Sequence, residues 1–416
     1  MKIKKLFFTG LFFLTSFIIL PIHGALKENP LKTENEKPAT IKVLLQKNSE
    51  GVLVEARGSF KVVNPEDGKK LSSGRKGKRF FLHPHKEGIQ WGEDFPGIFQ
   101  LVIVPTSADT SLLINGVQYR GALEFYHIDN KLQIVNEVDV ESYLKSILTE
   151  KVSSNLPSAV LDAIAMVART NSYYMALLNA SSYWHVQADE VGYQGVALTF
   201  QNVNMDRSID NTRYLIMTYE DQPFPCTWTK HSAGKTASFE SIFRKHSATP
   251  KGVDATFAAK YRDDAHWSLV LNSQVLAKVV KTNRITAVDL FVDHPSNKVY
   301  ALRVQDGSHV EDIDFLSFQN AIGQDKIKSN DFTISIKGNE VTFEGYGEGC
   351  GSGLCLFSAS QMAERGDLAP EILSDFFPHT HLEKMRSFPE AITNKKPFFS
   401  PKQKKATEKR WKLLHQ

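Results

Sequence analysis

Three cysteines in 416 residues, Cys226, Cys350 and Cys355, exclude a disulfide-built scaffold, because at most one bridge can form. Charge of one sign is also missing. The chain carries 50 Lys and Arg against 46 Asp and Glu, a net of +4, so its overall field does not select a polyionic partner. After about Ile22 no apolar run reaches the roughly 20 residues that span a bilayer as a helix. There is no internal repeat and no G-x-S-x-G elbow of a serine hydrolase. Five glycines alternate in GYGEGCGSGLC (345–355), but every G-x-G-x-x-G frame meets Cys350, Ser352 or Leu354 at its sixth place, and no Lys-Ser/Thr pair follows. Both a dinucleotide fingerprint and a P-loop are therefore excluded. In an extended strand this alternation puts all five glycines on one face, which lets another backbone or a ligand approach closely. Cys350 and Cys355 would face opposite sides of such a strand and are read as free, buried thiols.

What is present is ordinary globular material, 42% hydrophobic and 23% charged, with ample core for one large domain or two moderate ones. Residues 1–24 have a basic start (Lys2, Lys4, Lys5), an apolar run and a small residue, Gly24, which reads as a secretory signal, with an uncleaved membrane anchor as the alternative. A polar linker (25–40) follows. The remainder is read as α+β. Residues 41–110 form a β-rich region of alternating runs, 111–250 a core with the helices, and 251–382 a second α/β lobe closed by the glycine ribbon and a helix. Residues 383–416 are a basic tail. The tail and KKLSSGRKGKR (69–79) suit an anionic surface, but a solvated tail and loop is the preferred reading, and no nucleic-acid partner is expected.

Asn115-Gly116 and Asp129-Asn130 mark hairpin turns. A helix is expected from an Asp139 N-cap, with Val140, Tyr143, Leu144, Ile147 and Leu148 as its apolar stripe. Glu150 borders that stripe at the helix C-terminus. Partial burial and the macrodipole would both raise its pKa, as a general acid working near neutrality requires. The alternative is a rim glutamate paired with Lys151 or Arg169. A second helix starts near Pro157 and runs to Leu178. In CTWTKHSAGKT (226–236), Cys226 and His231 could supply two ligands to a metal, whereas catalytic zinc takes three protein ligands and structural zinc four. A polar loop explains the stretch equally well.

Taken in order, these pieces resemble the stage II sporulation protein D (SpoIID/LytB) family of peptidoglycan lytic enzymes and amidase enhancers. The resemblance rests on YRG (119–121), NEVDVESYL (136–144), TEK around Glu150, AIAMVART (163–170), VGYQG (191–195), HSAGKT (231–236) and the ribbon from Gly349 to Ala359. It implies an exported lytic transglycosylase that cleaves between N-acetylmuramic acid and N-acetylglucosamine, with Glu150 as the catalytic residue. Arg169, Tyr193, His231 and Ser232 are the implied substrate-binding residues. No cofactor is required, although a structural zinc on Cys226 and His231 fits a Cys-x4-His pair known in the family. The implied partners are peptidoglycan glycan strands and an N-acetylmuramoyl-L-alanine amidase, because the family prefers glycan stripped of stem peptides. The rival reading is a non-catalytic glycan-binding module that recruits or enhances an amidase. The chain departs from the pattern in the ribbon: Cys350 stands in the place of a family histidine, Cys355-Leu356 replaces Ser-Gln, and Ser358 replaces Gly.

Overall fold

The computed structural model describes residues 37–196, 202–307 and 309–388. The signal (1–24), the linker up to residue 36 and the tail beyond 388 lie outside the described residues.

The chain begins with a two-sheet sandwich. One sheet has the order β13-β1-β12-β11-β8-β3-β4, from Val186–Gln187 (β13), Thr40–Ser49 (β1), Lys131–Asp139 (β12), Ala122–Ile128 (β11), Gln100–Pro105 (β8), Phe60–Val63 (β3) and Lys70–Gly74 (β4). The other has the order β10-β9-β2-β5-β6-β7, from Val117–Tyr119 (β10), Ser111–Ile114 (β9), Val52–Arg57 (β2), Lys78–His85 (β5), Gly88–Trp91 (β6) and Glu93–Pro96 (β7). Alternating side chains, Val52, Val54, Trp91, Ile103, Phe125 and Ile134 among them, fill the space between the sheets. The expected hairpin turns are there. Asn115 and Gly116, then Asp129 and Asn130, have positive φ, as tight two-residue turns demand. Because β9 to β12 complete the sandwich, residue 110 is not a structural boundary: the β-rich region runs to Asp139.

At Asp139 the last strand turns directly into α1 (Val140–Leu148), and the Asp139 carboxylate accepts from Ser142 N at 3.0 Å. Val140, Tyr143, Leu144, Ile147 and Leu148 are buried as the stripe requires. α2 (Ser158–Leu178) then runs through the middle of the main core, flanked by α4 (Val203–Asn211), β14 (Leu215–Thr218) and helices at Leu356–Glu364 and Ala369–Phe376. A short helix, α3 (Ala188–Val191), precedes the VGYQG loop. No helix among the described residues is long and apolar enough to cross a membrane.

The second lobe is made of two three-stranded antiparallel sheets. One is β16-β21-β20 (His266–Asn272, Glu340–Tyr346, Phe332–Lys337) and the other β17-β18-β19 (Ala287–Asp293, Lys298–Asp306, His309–Asp314), packed around Trp267, Leu302, Phe318 and Phe343. Beyond Tyr346, where β21 ends, the rest of the ribbon and the helices after it leave this lobe's sheets. They return to the main core, where β22 (Leu354–Cys355) pairs in parallel with β15 (Trp228–Thr229) and β23 (His381–Lys384) pairs with β14. β23 therefore runs past residue 382, and the Phe388 ring packs on Tyr173.

The ribbon also departs from the extended strand that its alternation suggests. β21 ends at Tyr346, and Gly347, Gly349, Gly351 and Gly353 all take positive φ. Neighbouring backbone and side chains also leave no room for a Cβ at any of the four. A Cβ on Gly353 would sit 2.0 Å from the Thr227 carbonyl oxygen. The close backbone approach expected of a bare glycine face is thus present, in a different conformation. Cys226, Cys350 and Cys355 are all free thiols, with Cys350 the least buried.

Candidate functional site

Glu150 lies just past α1. The helix ends at Leu148, and the Thr149 hydroxyl folds back to donate to the Lys145 carbonyl at 2.6 Å. The turn stays tight beyond it, with Thr149 in the αR region and Val152 N donating to the Leu148 carbonyl at 3.0 Å, and the Glu150 side chain is exposed instead of half-buried. It pairs with neither Lys151 nor Arg169. Its carboxylate accepts one hydrogen bond, from Gln194 Nε2 to Oε2 at 3.3 Å. Lys151 turns away, donating to the Val191 carbonyl at 2.6 Å.

The Gln194 loop is anchored from below by a buried hydrogen-bond chain. Tyr193 is 6% exposed, and its hydroxyl donates to Asn136 Oδ1 at 2.6 Å. The Asn136 amide donates in turn to the carbonyls of Arg120 and Ala122, both at 2.9 Å. Further along, Val196 N donates to the Gln118 carbonyl at 2.8 Å. The Tyr193 ring stacks on Tyr143 at 5.7 Å between centroids, and burial pushes its phenol pKa up, so it stays a proton donor. Tyr193, expected to bind substrate, thus has its hydroxyl spent inside the protein and holds the loop that reaches Glu150.

Arg169, also expected to bind substrate, is 0% exposed. Its Nε and Nη2 form a bidentate pair with Glu141 of α1 at 2.9 and 2.8 Å, and its remaining donors reach the carbonyls of Ile209 and Leu215, both at 3.1 Å. Every edge of the guanidinium fork is occupied. Arg169 is the buried tie between α1, α2 and α4, and it cannot clamp a ligand at the surface.

His231 and Ser232 share none of these partners. His231 exchanges backbone hydrogen bonds with Glu348 of the ribbon, Nδ1 accepts from Ala233 N at 3.1 Å, and the ring rests on Phe357 at 4.6 Å. Burial, with the positive charges of Lys298 and Arg262, lowers its pKa and keeps the ring neutral. Ser232 is 1% exposed, its N–H donates to Cys355 Sγ at 3.3 Å, and its carbonyl accepts from Lys298 Nζ at 2.6 Å. A serine so enclosed does not meet a polymer. Around it Lys298, itself 1% exposed, pairs with Asp331 at 2.7 Å, and Arg262 pairs with the same carboxylate at 2.9 Å, while the Asn330 amide donates to the Cys350 carbonyl at 2.8 Å. These contacts knot the second lobe and the ribbon to the main core.

Nor does the donor set fit zinc. The Cys226 thiol is buried, donates to the Val167 carbonyl at 3.2 Å and has its pKa pushed up by burial. Among the described residues no group of three or more His, Cys, Asp or Glu side chains gathers as a metal site. Spacing alone suggested Cys226 and His231. The residues that spacing did not single out are Gln194, Asn136 and Arg120, although all three lie inside the VGYQG, NEVDVESYL and YRG phrases.

A model of the stage II sporulation protein (SpoIID) family matches residues 128–219. That stretch holds α1, Glu150, α2, Tyr193 and Gln194, and stops before Cys226 and His231. The chain is 35% identical over 223 residues to an uncharacterized protein of Chlamydia pneumoniae, covering 52% of this chain and 79% of that one. A protein of Chlamydia muridarum shares 38% over 179 residues (42% and 62%), and one of Brachyspira hyodysenteriae 24% over 335 residues (78% and 87%), both likewise uncharacterized. The chain belongs to the SpoIID family, and its domain ties it to the cell wall.

Proposed function

We propose that this protein is a lytic transglycosylase acting on peptidoglycan glycan strands, with Glu150 as the single acid and base. The observation that carries the reading is the state of Glu150. It is an exposed carboxyl with no cation paired to it among the described residues, held by one side-chain amide on a loop that is itself pinned from within. Gln194 donates to Oε2, and no hydrogen bond among the described residues occupies Oε1.

The chemistry requires only one carboxyl. Glu150 in its acid form gives its proton to the glycosidic oxygen, and the bond from the muramoyl C1 to that oxygen breaks, releasing the N-acetylglucosamine 4-hydroxyl. The muramoyl C6 hydroxyl then attacks C1 and passes its proton to the Glu150 carboxylate, which closes a 1,6-anhydro ring and restores the acid. No water is consumed and no second carboxylate is needed, in contrast to the two-carboxylate glycosidases. Glycan stripped of stem peptides is the proposed substrate, with an amidase acting before it. Export is part of the same proposal, since the substrate lies outside the cytoplasmic membrane.

Purified protein should release anhydromuramoyl ends from amidase-treated sacculi, and Glu150→Gln should not. Equal digestion by the variant would remove Glu150 from the chemistry. If neither protein digests and both pellet with sacculi, the chain is a glycan-binding module that serves an amidase.

A further inference from the structure

Arg120 is an exposed cation on a corner that packs against the loop holding Glu150. Among the described residues its guanidinium has no carboxylate partner. Its one side-chain contact is Nη1 with the Ser142 hydroxyl at 3.5 Å, and it lies near Asp206 without pairing with it. A surface arginine is usually a mobile chain, but this one stands on a fixed base. Its carbonyl accepts from the buried Asn136 amide. The next residue, Gly121, has φ 77°, and a Cβ there would meet the Glu137 carbonyl at 2.1 Å, so the corner is pressed against β12. The preceding Tyr119 lies against Gly195, whose Cβ would come within 2.8 Å of the ring. The neighbouring residue of that loop, Gln194, holds Glu150. Asn136 thus serves two masters at once: one end of its amide fixes the Arg120 corner, the other the Tyr193-Gln194 loop.

We infer that Arg120 reads the lactyl carboxylate of N-acetylmuramic acid. The inference rests on the transglycosylase reading and deepens it. A glycan strand of alternating sugars is neutral apart from its muramoyl ether substituents. Removal of the stem peptide turns the lactyl carbonyl from an amide into a carboxylate, the one anion a stripped strand presents at every second sugar. A guanidinium matches that group by two parallel N–H donors. Preorganisation of the corner lowers the ordering cost of the contact. Arg120 is accordingly a specificity residue, not part of the proton transfer.

The test is binding, in a Glu150→Gln background that prevents turnover. The probes are a peptide-free GlcNAc-MurNAc oligosaccharide and a chitin oligosaccharide of the same length, which lacks the carboxylate. The parent should prefer the muramoyl probe by about tenfold or more, the size expected of one charge-assisted contact. Arg120→Gln should bind both probes equally, and Arg120→Lys should recover part of the preference, which shows that the fold is intact. A preference that survives Arg120→Gln, or a parent with none, overturns the inference. If the preference depends on Arg120 while the unmutated protein makes no anhydro ends, the transglycosylase reading fails and the carboxylate site remains. If anhydro ends form without an Arg120-dependent preference, the inference fails alone.

Discussion

The Glu150 rim and the His231 knot both carry residues of the family pattern, yet they are built in opposite ways. At the rim the side chains that face water, Glu150, Gln194 and Arg120, have few partners, and the order is supplied from beneath by Asn136, Tyr193 and Arg169. At the knot His231 is half-buried against ribbon backbone, and Ser232 is enclosed beside the Lys298, Asp331 and Arg262 charges. A shared motif therefore does not imply a shared job. The rim keeps polar groups available at a surface, and the knot uses most of its charged and backbone polar groups in joining a lobe to a core.

The comparison breaks most severely if the base of the rim can be removed without harm. Arg169→Met would leave the Glu141 carboxylate buried without its cation, and breaking a buried pair this way costs about 3–5 kcal/mol. Urea unfolding should show that loss. A variant within about 1 kcal/mol of the parent would mean that the pair does not hold α1 and α2 together, and Arg169 would again be a candidate for ligand contact.

At the knot the matching change is Gly353→Ala. It forces a side chain onto a residue with φ 76° and against the Thr227 carbonyl, for roughly 2–4 kcal/mol of strain and overlap. The prediction separates stability from chemistry. The midpoint should fall, while the rate per folded molecule, taken well below that midpoint, should stay within about twofold of the parent, since the ribbon touches no group at the rim in this reading. A proportional loss of rate in fully folded protein would put the ribbon in the active site.

Gln194→Ala tests the rim from the other side. An exposed hydrogen bond contributes little to folding, so the unfolding midpoint should barely move. The rate should drop by about tenfold, because Glu150 would lose the donor that selects one of its oxygens and holds its direction. If the rate is unchanged and Tyr193→Phe, which orphans Asn136 Oδ1, is also silent in rate, then the anchored loop plays no part in positioning the acid.

The legible parts of this fold were local. The Asp139 cap, the stripe of α1 and the two hairpin turns depend on residues within one turn of one another, and all are as the sequence implies. The exposure of Glu150 is not legible in this way, because a position bordering a helical stripe is covered or left open by the elements packed beside it, here the loop that carries Gln194. In the ribbon, alternation of period two is shared by an extended strand and by a chain whose glycines alternate into positive φ, and only the neighbouring chain segments distinguish them. Arg169 with Glu141, and Lys298 with Asp331, join residues 28 and 33 apart through tertiary packing, which no local pattern records. The same holds for Asn136, legible as part of a phrase but not as the link between two loops.

Cys350→His is the smallest change and the most pointed, because it restores the residue type that the family pattern has in the ribbon. Cys350 is held through its carbonyl, which accepts from Asn330, so the replacement keeps that bond. Its side chain is only partly buried, and Lys298 lies close enough for its charge to act on the thiol. An imidazole there would stay neutral beside that cation, and it would have no role in a mechanism that runs on the Glu150 carboxyl alone. The expected outcome is anhydro-end release within about twofold of the parent and an unfolding midpoint shifted by no more than about 1 kcal/mol equivalent. A gain of tenfold or more would show that the ribbon reaches the scissile bond, that the knot and the rim are two walls of one cleft, and that cysteine at this position holds the chain at a fraction of its attainable rate.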